Sequence, residues 1–293
     1  MKYLDNLKVE PTDHEDWLNK ATSSGKRYAQ SLKAIEELLL KNYSKYSDRV
    51  RTYRNTLHRS KLKDQHSILV DFYNNPPTSL APLIHDRRHN HGLNECPFCG
   101  KPVSPGTLDH FIPKKSWPEY SILQNNLVPQ CKDCAPIKGD DYHNDKGNAI
   151  FLSPIYSKLL SLVEFKVNIK FDQEKKSINV VPTILIPNHI SKKDQRRISS
   201  HFKALQIKDR IITYSTRTMK RWEKMLKASN FDISAALQTR IDEKAIEERC
   251  KDWKTSLYTS VLKEHDYMAY LNSLKGLNVK PKREPKKKVE LEI

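Results

Sequence analysis

Glycine is scarce in this chain: only 7 of its 293 residues are glycine. Turn-rich all-β folds use many glycines, because glycine adopts backbone angles that other residues disfavour. The scarcity therefore favours helices over an all-β fold. At this length the chain can bury one or two hydrophobic cores.

Long apolar runs are also missing. No stretch approaches the ~20 apolar residues of a membrane-spanning helix. The N-terminal sequence MKYLDNLKVEPTDHEDW contains acidic side chains and lacks the apolar segment of a secretory signal. We expect a cytoplasmic protein with no membrane partner. In that compartment, paired cysteines serve as metal ligands more readily than as disulfides.

Acidic residues are few relative to basic ones. The chain has 35 Asp and Glu against 52 Lys and Arg, which gives a formal net charge of +17 and a pI of about 9.5. A basic surface of this size favours a polyanion as partner, and nucleic acid is the first candidate. The alternative is a soluble protein with a basic tail.

Four of the five cysteines form two Cys-x-x-Cys pairs, Cys96/Cys99 and Cys131/Cys134. Four thiolates in two such pairs suit one tetrahedral Zn²⁺ ion with a structural role. The alternative is a bare zinc ribbon, in which the pairs lie ~15–20 residues apart; here they lie further apart. The fifth cysteine, Cys250, falls in a segment expected to be helical, where we expect a buried or half-buried thiol without a role.

The segment between the two cysteine pairs contains groups that phosphodiester hydrolysis requires. Cleavage needs a base for water, a cation that offsets developing charge, and a group that holds the base in place. His110 is the candidate base, since the ordinary pKa of histidine lies near neutrality. Asp109 offers a hard oxygen ligand for Mg²⁺ or Mn²⁺. Asn125 and Asn126 can hold a backbone turn by hydrogen bonds.

These residues resemble the HNH endonuclease family. LDHFIPK is similar to the first strand of that family, NNLVPQC to its central element, and CKDCAPIKGD to the start of its helix. The resemblance covers roughly residues 94–156, and the four cysteines match the zinc-bearing branch. It implies that His110 is the general base, that Asp109 binds the catalytic metal, and that Asn126 rather than Asn125 orients the His110 loop.

The resemblance also implies an architecture and an activity. We expect a mainly α fold with a small central ββα-metal core and a β-hairpin, α+β overall. The implied activity is metal-dependent hydrolysis of DNA, with structural Zn²⁺ and catalytic Mg²⁺ or Mn²⁺. The expected regions are an N-terminal helical region (1–85), a zinc-bearing nuclease domain (86–157), a β-hairpin with C-terminal helices (158–275) and a basic disordered tail (276–293).

Ala135 departs from the family pattern. The residue after the second cysteine pair is an Asn or His that binds the catalytic metal in the family, and alanine has no donor atom. Three interpretations stay open. The alanine is an inactivating substitution of the kind made to express a toxic nuclease, or the site has lost catalysis and kept binding, or a neighbour supplies the ligand. The neighbours in question are Asp133, Asp140, Asp141, His143 and Asn144.

Lys114, Lys115 and Lys138 flank the site and are candidates for phosphate contacts; Lys138 matches the Lys-Gly of the family. The helical flanks would select a substrate or bind a partner. Bacterial HNH proteins with such flanks resemble anti-phage defence nucleases that pair with an ATPase. Two other functions stay open. One is a zinc-stabilised nucleic-acid-binding module without catalysis. The other is an RNase, because the sequence does not show whether the protein contacts a 2′-hydroxyl group.

The flanking segments contain local signals for helices and one hairpin. Apolar residues at three- and four-residue steps predict a helix around 29–39, and Val50 to Tyr73 is expected to be helical. Alternation from Val163 to Phe171 and a β-branched segment at 178–186 predict a β-hairpin. Ser191, followed by an acid three residues later, predicts a helix start. Helices are expected at 192–205, 207–229, 232–250 and 253–274.

Overall fold

The computed structural model describes residues 1–10, 14–52, 57–58 and 60–278. Short helices fill its N-terminal part, as the periodic apolar residues predict. Among the described residues of the segment Val50 to Tyr73, helix is present up to Arg51 and from Lys63 onward, and residues 53–56 and 59 lie outside the described residues. The helices are α1 (His14–Thr22), α2 (Ala29–Ala34), α3 (Glu36–Tyr43), α4 (Tyr46–Arg51), α5 (His66–Asn74) and α6 (Ala81–His89).

The central part holds a small antiparallel hairpin followed by a short helix. Strand β1 (Thr107–His110) pairs with β2 (Leu127–Gln130), and α7 (Cys134–Lys138) comes directly after the second cysteine pair. Asp109 lies opposite Val128, and His110 lies opposite Leu127. Strand, strand and helix follow one another as the expected ββα core requires.

A second antiparallel hairpin and five helices make up the C-terminal part. Strands β3 (Glu164–Asp172) and β4 (Ser177–Leu185) pair along their full length, and Phe165, Val167 and Ile169 are buried on one face. This confirms the predicted hairpin. The helices are α8 (Lys192–Ala204), α9 (Ile207–Lys227), α10 (Ile233–Asp242), α11 (Trp253–Lys263) and α12 (His265–Ser273).

The start of α8 is confirmed as well. The Ser191 hydroxyl accepts a hydrogen bond from the Asp194 backbone N–H at 3.1 Å, so it satisfies one of the donors that the first turn leaves unpaired. Two other expectations are wrong. The helix expected at 232–250 ends at Asp242, and the helix expected at 253–274 is interrupted at Glu264.

Both interruptions have tertiary causes. Cys250 has a left-handed φ of 62°, and its carbonyl accepts a hydrogen bond from the Phe165 N–H of β3 at 2.7 Å. It is half-buried, as expected, but it is not helical. The Glu264 carboxylate accepts a bond from the Phe171 N–H at 3.4 Å, and its extended backbone separates α11 from α12.

The buried apolar side chains form one contiguous cluster from Met1 to Leu274. Helix α11 packs on β3 and α9 packs on β4, while α6 contacts both strands of the central hairpin. The mainly helical α+β class is therefore confirmed. The four regional boundaries stay predictions, and residues 279–293 of the expected tail lie outside the described residues. No helix in the described part of the chain is long and apolar enough to cross a membrane.

Candidate functional site

The central hairpin separates two groups of functional side chains. Asp109 and His110 lie at one end, where β1 finishes and β2 begins, whereas Cys131 follows β2 at the other end. Each strand has four residues, so the ends are about 10 Å apart at a rise of ~3.3 Å per residue. The hairpin therefore has a cysteine end and an acid–base end.

The four cysteines gather into one buried cluster at the cysteine end. All four sulfur atoms lie within 4.8 Å of one another, with Cys96 Sγ 4.0 Å from Cys134 Sγ and Cys99 Sγ 3.9 Å from Cys131 Sγ. Zn–S bonds of ~2.3 Å in a tetrahedron place the sulfurs ~3.8 Å apart. The donor chemistry and the spacing both fit, so this cluster can hold a zinc ion.

His110 is buried at the acid–base end. Its Nε2 lies 3.0 Å from the Ser121 carbonyl, and its ring packs edge-on against Tyr73 with centroids 4.3 Å apart. A carbonyl only accepts hydrogen bonds, so Nε2 carries the proton and Nδ1 keeps its lone pair. Burial, together with the charges of Lys114 and Lys138, lowers the pKa of His110 to about 3. The imidazole is therefore neutral at pH 7 with Nδ1 unprotonated, and a pKa this low makes it a weak base.

Asp109 forms an ion pair with Lys138. The Lys138 ammonium lies 3.1 Å from Asp109 Oδ1 and 3.3 Å from the His110 carbonyl, and both side chains are buried. Asp109 Oδ2 is buried without a hydrogen-bond partner. Burial raises the pKa of Asp109, while Lys138 acts in the opposite direction. One oxygen of this carboxylate is thus paired, and the other has an unused lone pair.

Asn126 connects two backbone sites and one side chain around the acid–base end. Its Oδ1 accepts hydrogen bonds from the Ile112 N–H at 2.7 Å and from the Tyr46 hydroxyl at 2.9 Å. Its Nδ2 donates to the carbonyls of Ile112 and Tyr120, each at 3.0 Å. Both atoms of this buried amide are therefore occupied in holding the loop that follows His110.

Asn125 makes a different set of contacts. Its Oδ1 accepts from the Val9 N–H at 2.9 Å, and its Nδ2 donates to the Val9 carbonyl at 2.7 Å and the Tyr156 hydroxyl at 2.8 Å. It attaches the N-terminal segment to the central part, whereas Asn126 holds the loop after β1.

Ala135 lies in the first turn of α7 and has no donor to offer. The neighbours that could replace it have other partners: Asp133 pairs with Lys101, Asp140 with Lys115 at 3.4 Å, and the Asn144 side chain caps a turn at Lys146. Among the described residues, the four cysteines are the group of three or more His, Cys, Asp or Glu side chains that gathers closely enough for a metal ion. Within the described residues, Asp109 therefore has no second or third His, Cys, Asp or Glu side chain close enough to share a metal ion.

The three candidate phosphate contacts differ in exposure. Lys115 is exposed, whereas Lys114 is half-buried, donates to the Asn74 side chain at 2.9 Å and stacks over Tyr73. Lys138 is 1% exposed and is paired with Asp109. A phosphate contact by Lys138 would require that pair to break, so Lys115 is the most accessible of the three.

Several residues that contact the site have no signal in the local sequence. Tyr46 reaches Asn126 from α4, and Tyr73 reaches His110 from α5. In the same way Arg87 of α6 donates to the Leu127 carbonyl at 2.7 Å, at the start of β2. The N-terminal helices thus form the walls of the acid–base end, a role that helical periodicity cannot reveal.

Comparisons with known proteins leave the family open. No protein-family model matches the chain, and no solved structure matches it. Protein ea31 of Escherichia phage lambda is 27% identical over 124 residues, which is 40% of this chain and 39% of the phage protein. The chain thus spans about two fifths of the length of that relative. What the fold and site define together is a mainly helical α+β protein with a buried four-cysteine cluster beside a ββα core.

Proposed function

We propose that this chain has the framework of an HNH-type, metal-dependent endonuclease that acts on DNA, and that Ala135 suppresses its cleavage activity. The observation that carries the proposal is the arrangement at the end of β1, where Asp109, His110 and Asn126 meet around one loop. The resemblance in the sequence implies products with a 5′-phosphate and a 3′-hydroxyl.

His110 suits the role of general base. Its Nε2–H is held by the Ser121 carbonyl, and its ring is held by Tyr73, so the orientation of Nδ1 is fixed. A depressed pKa keeps the ring neutral across the physiological range but also makes it a weak base. The anionic phosphate of a bound substrate would raise this pKa toward the range that a general base needs. His110 Nδ1 would accept a proton from the attacking water, while Asn126 keeps the backbone of the loop in place.

Asp109 suits the role of a metal ligand only in part. Its Oδ2 is an unpaired buried oxygen, which is the donor type that Mg²⁺ and Mn²⁺ prefer. A divalent cation bound there would supply positive charge for the phosphate oxygens. Position 135 contributes no ligand, however, and Lys138 already places an ammonium group 3.1 Å from Asp109. We therefore expect weak metal binding in the chain as it stands.

A plasmid-nicking assay with Mg²⁺, Mn²⁺ or Ni²⁺ tests the proposal. It compares the chain, Ala135→Asn, and Ala135→Asn combined with His110→Ala. We expect cleavage by Ala135→Asn alone, because the asparagine restores a donor and the double variant lacks the base. Cleavage by the unchanged chain would mean that another residue supplies the ligand, and equal cleavage by the double variant would remove His110 from the mechanism.

A second function is favoured by Ala135 and by the net charge of +17. On that hypothesis the chain is a zinc-stabilised module that binds nucleic acid without cutting it. The expected result is binding that weakens steeply with salt, because phosphate contacts release counterions, together with no cleavage after Asn is restored at position 135. Single-stranded RNA run beside DNA in the same assay separates a DNase from an RNase.

The partner ATPase of a defence system is a further proposal that rests on the resemblance alone. Isolation of the chain from its native host under low-salt conditions tests it. An ATPase that remains bound through size-exclusion chromatography would support the partnership. A chain that nicks DNA fully by itself would argue against a required partner.

A further inference from the structure

Three side chains from the C-terminal helices converge on the turn formed by the first cysteine pair. His201 of α8 donates from Nε2 to the Phe98 carbonyl at 2.7 Å, since its Nδ1 accepts from the Leu152 N–H at 3.1 Å. Trp253 of α11 donates from its indole to the Cys99 carbonyl at 2.7 Å. The third is Arg210 of α9. The turn is therefore held from outside the central region.

Arg210 contacts the sulfur atoms themselves. Its Nη1 lies 3.3 Å from Cys134 Sγ, and its Nη2 lies 3.6 Å from Cys99 Sγ and 3.7 Å from Cys131 Sγ. Three of the four possible zinc ligands thus face one guanidinium. A fourth contact, from Nη1 to the Leu205 carbonyl at 3.1 Å, fixes the side chain against the turn between α8 and α9.

The surroundings of Arg210 identify the sulfurs as its main anionic partners. The side chain is 13% exposed and packs over the Trp253 ring, while Asp133, its carboxylate neighbour, is 3.9 Å away. The three distances from the guanidinium to the sulfur atoms, 3.3 to 3.7 Å, are all shorter than the distance to that carboxylate. A largely buried guanidinium requires anionic or hydrogen-bonding partners, and the sulfur atoms are closer to it than the Asp133 carboxylate.

The net charge of the four-cysteine site with zinc bound explains what Arg210 contributes. Four thiolates around one Zn²⁺ carry a net charge of −2, which is unfavourable in a buried setting. A guanidinium that donates N–H groups to three sulfurs reduces this charge and orients the thiolate lone pairs. Groups in this outer position change metal affinity by 10- to 100-fold when they are removed.

We infer that Arg210 is a positioning residue of the four-cysteine metal site and that metal binding there is coupled to docking of helices α9 and α11. The inference requires that the four cysteines bind zinc, and it does not depend on nuclease activity. Coupling is reciprocal: if the docked helices strengthen zinc binding, zinc strengthens the docking by the same factor.

Zinc affinity, measured by competition with a chromophoric chelator, tests whether Arg210 strengthens metal binding. We expect Arg210→Met to weaken Zn²⁺ binding by ~10- to 100-fold, and Arg210→Lys to recover part of the loss, because lysine keeps the charge but cannot contact three sulfurs. Lys208→Met is the matched control: Lys208 is an exposed cation two residues earlier on the same helix, and its loss should leave affinity unchanged.

A spectroscopic readout separates positioning from simple structural support. With Co²⁺ in place of Zn²⁺, the sulfur-to-cobalt charge-transfer band reports the energy of the sulfur lone pairs. Loss of the N–H···S contacts raises that energy, so the band of Arg210→Met should move to longer wavelength than those of the unchanged chain and Lys208→Met. Wild-type affinity and band position in Arg210→Met, or no metal binding by the unchanged chain, would overturn the inference.

Hydrogen exchange tests the coupling itself. In the full chain, removal of zinc by chelation should increase exchange in α9 and α11 more than in α2 and α3, which lie far from the cysteines in sequence. If Arg210→Met folds poorly, Trp253→Phe serves in its place, since it deletes the bond to the Cys99 carbonyl and keeps an aromatic ring. Equal protection of α9 and α11 with and without zinc would exclude coupling.

Discussion

The two ends of the central hairpin differ in how completely their polar groups are satisfied. At the cysteine end, four like donors face one another, and an external arginine faces three of them. At the acid–base end, Asp109 keeps an unpaired buried oxygen, Ala135 has no donor, and a lysine ammonium sits beside the carboxylate. One end has four donors of the kind that bind zinc, and the other has a single carboxylate oxygen without a hydrogen-bond partner.

The contrast shows which end of the hairpin depends on a metal ion for its structure. A four-thiolate site needs all its donors to hold the fold, so it is all or none. The acid–base end keeps its shape without a metal, because Asn126, the Ser121 carbonyl and the Lys138 ammonium satisfy most of its groups from within the protein. Its geometry therefore does not depend on a metal ion.

The largest effect is expected at the cysteine end. Cys131→Ser should lose zinc binding and unfold the central part, since structural zinc contributes ~10 kcal/mol to the folding of small zinc peptides. The checks are zinc content and thermal unfolding followed by circular dichroism. Cys250→Ser is the control, because Cys250 lies outside the cluster. Full zinc content and an unchanged melting curve in Cys131→Ser would reject the four-cysteine site.

Loss of Lys138 should have the next largest effect, at the acid–base end. Lys138→Met leaves Asp109 as a buried charge without its partner, which costs about 3–5 kcal/mol. Urea unfolding at neutral pH measures this cost. Adding Asp109→Asn should recover part of the loss, because no charge then remains buried. Lys115→Met, which removes an exposed lysine, should change stability by less than about 0.5 kcal/mol.

Asn126→Ala tests the loop after His110 separately from the cysteine end of the hairpin. The change leaves the Ile112 N–H and two carbonyls unpaired in a buried setting, and we expect a loss of about 2–4 kcal/mol. Zinc content should stay at its wild-type value, since the amide lies at the other end of the hairpin. A variant that loses zinc in proportion to its stability would show that the two ends unfold together.

The smallest effect is the pH dependence due to His201. Burial lowers the pKa of His201 to about 4, against an ordinary value of about 6.5. The unfolded chain therefore binds a proton in this window that the folded chain does not, and stability falls as pH drops from about 6.5 through 4. Between pH 7 and pH 5 the contribution is about 2 kcal/mol.

His201→Gln checks this contribution. Glutamine does not titrate, so urea unfolding at several pH values should show a flatter pH dependence in the variant, by about 2 kcal/mol over that interval. Both proteins are compared with zinc in excess, since the thiolates themselves bind protons in acid. Parallel pH profiles would show that the pKa of His201 is not lowered in the folded protein.

The sequence alone was sufficient for features that depend on neighbouring residues. Alternation along Val163 to Phe171 specifies the second hairpin, since a strand presents every other residue to the core. Ser191 specifies the start of α8 because its cap forms within one turn. The spacing of the cysteines specifies the four-sulfur cluster, since two turns and one hairpin bring them together.

Helix ends were less predictable, for a physical reason. The segment after Asp242 retains helical periodicity in sequence, yet Cys250 adopts a left-handed backbone and pairs with β3 instead. Glu264 likewise interrupts a periodic segment and accepts a bond from Phe171. At Cys250 a backbone partner distant in sequence takes the place of a local helical bond, whereas at Glu264 the distant partner is bound by the side chain.

What the sequence determined by itself is the set of reactive groups: four cysteines in pairs, Asp109 beside His110, and the missing donor at position 135. What only the tertiary structure decided is their partners. Lys138 turns inward to Asp109 rather than outward to solvent, and Arg210 reaches Cys134 across 76 residues of chain. Such pairings are set by how whole helices pack and by the cost of burying a charge alone, and neither is encoded in local spacing.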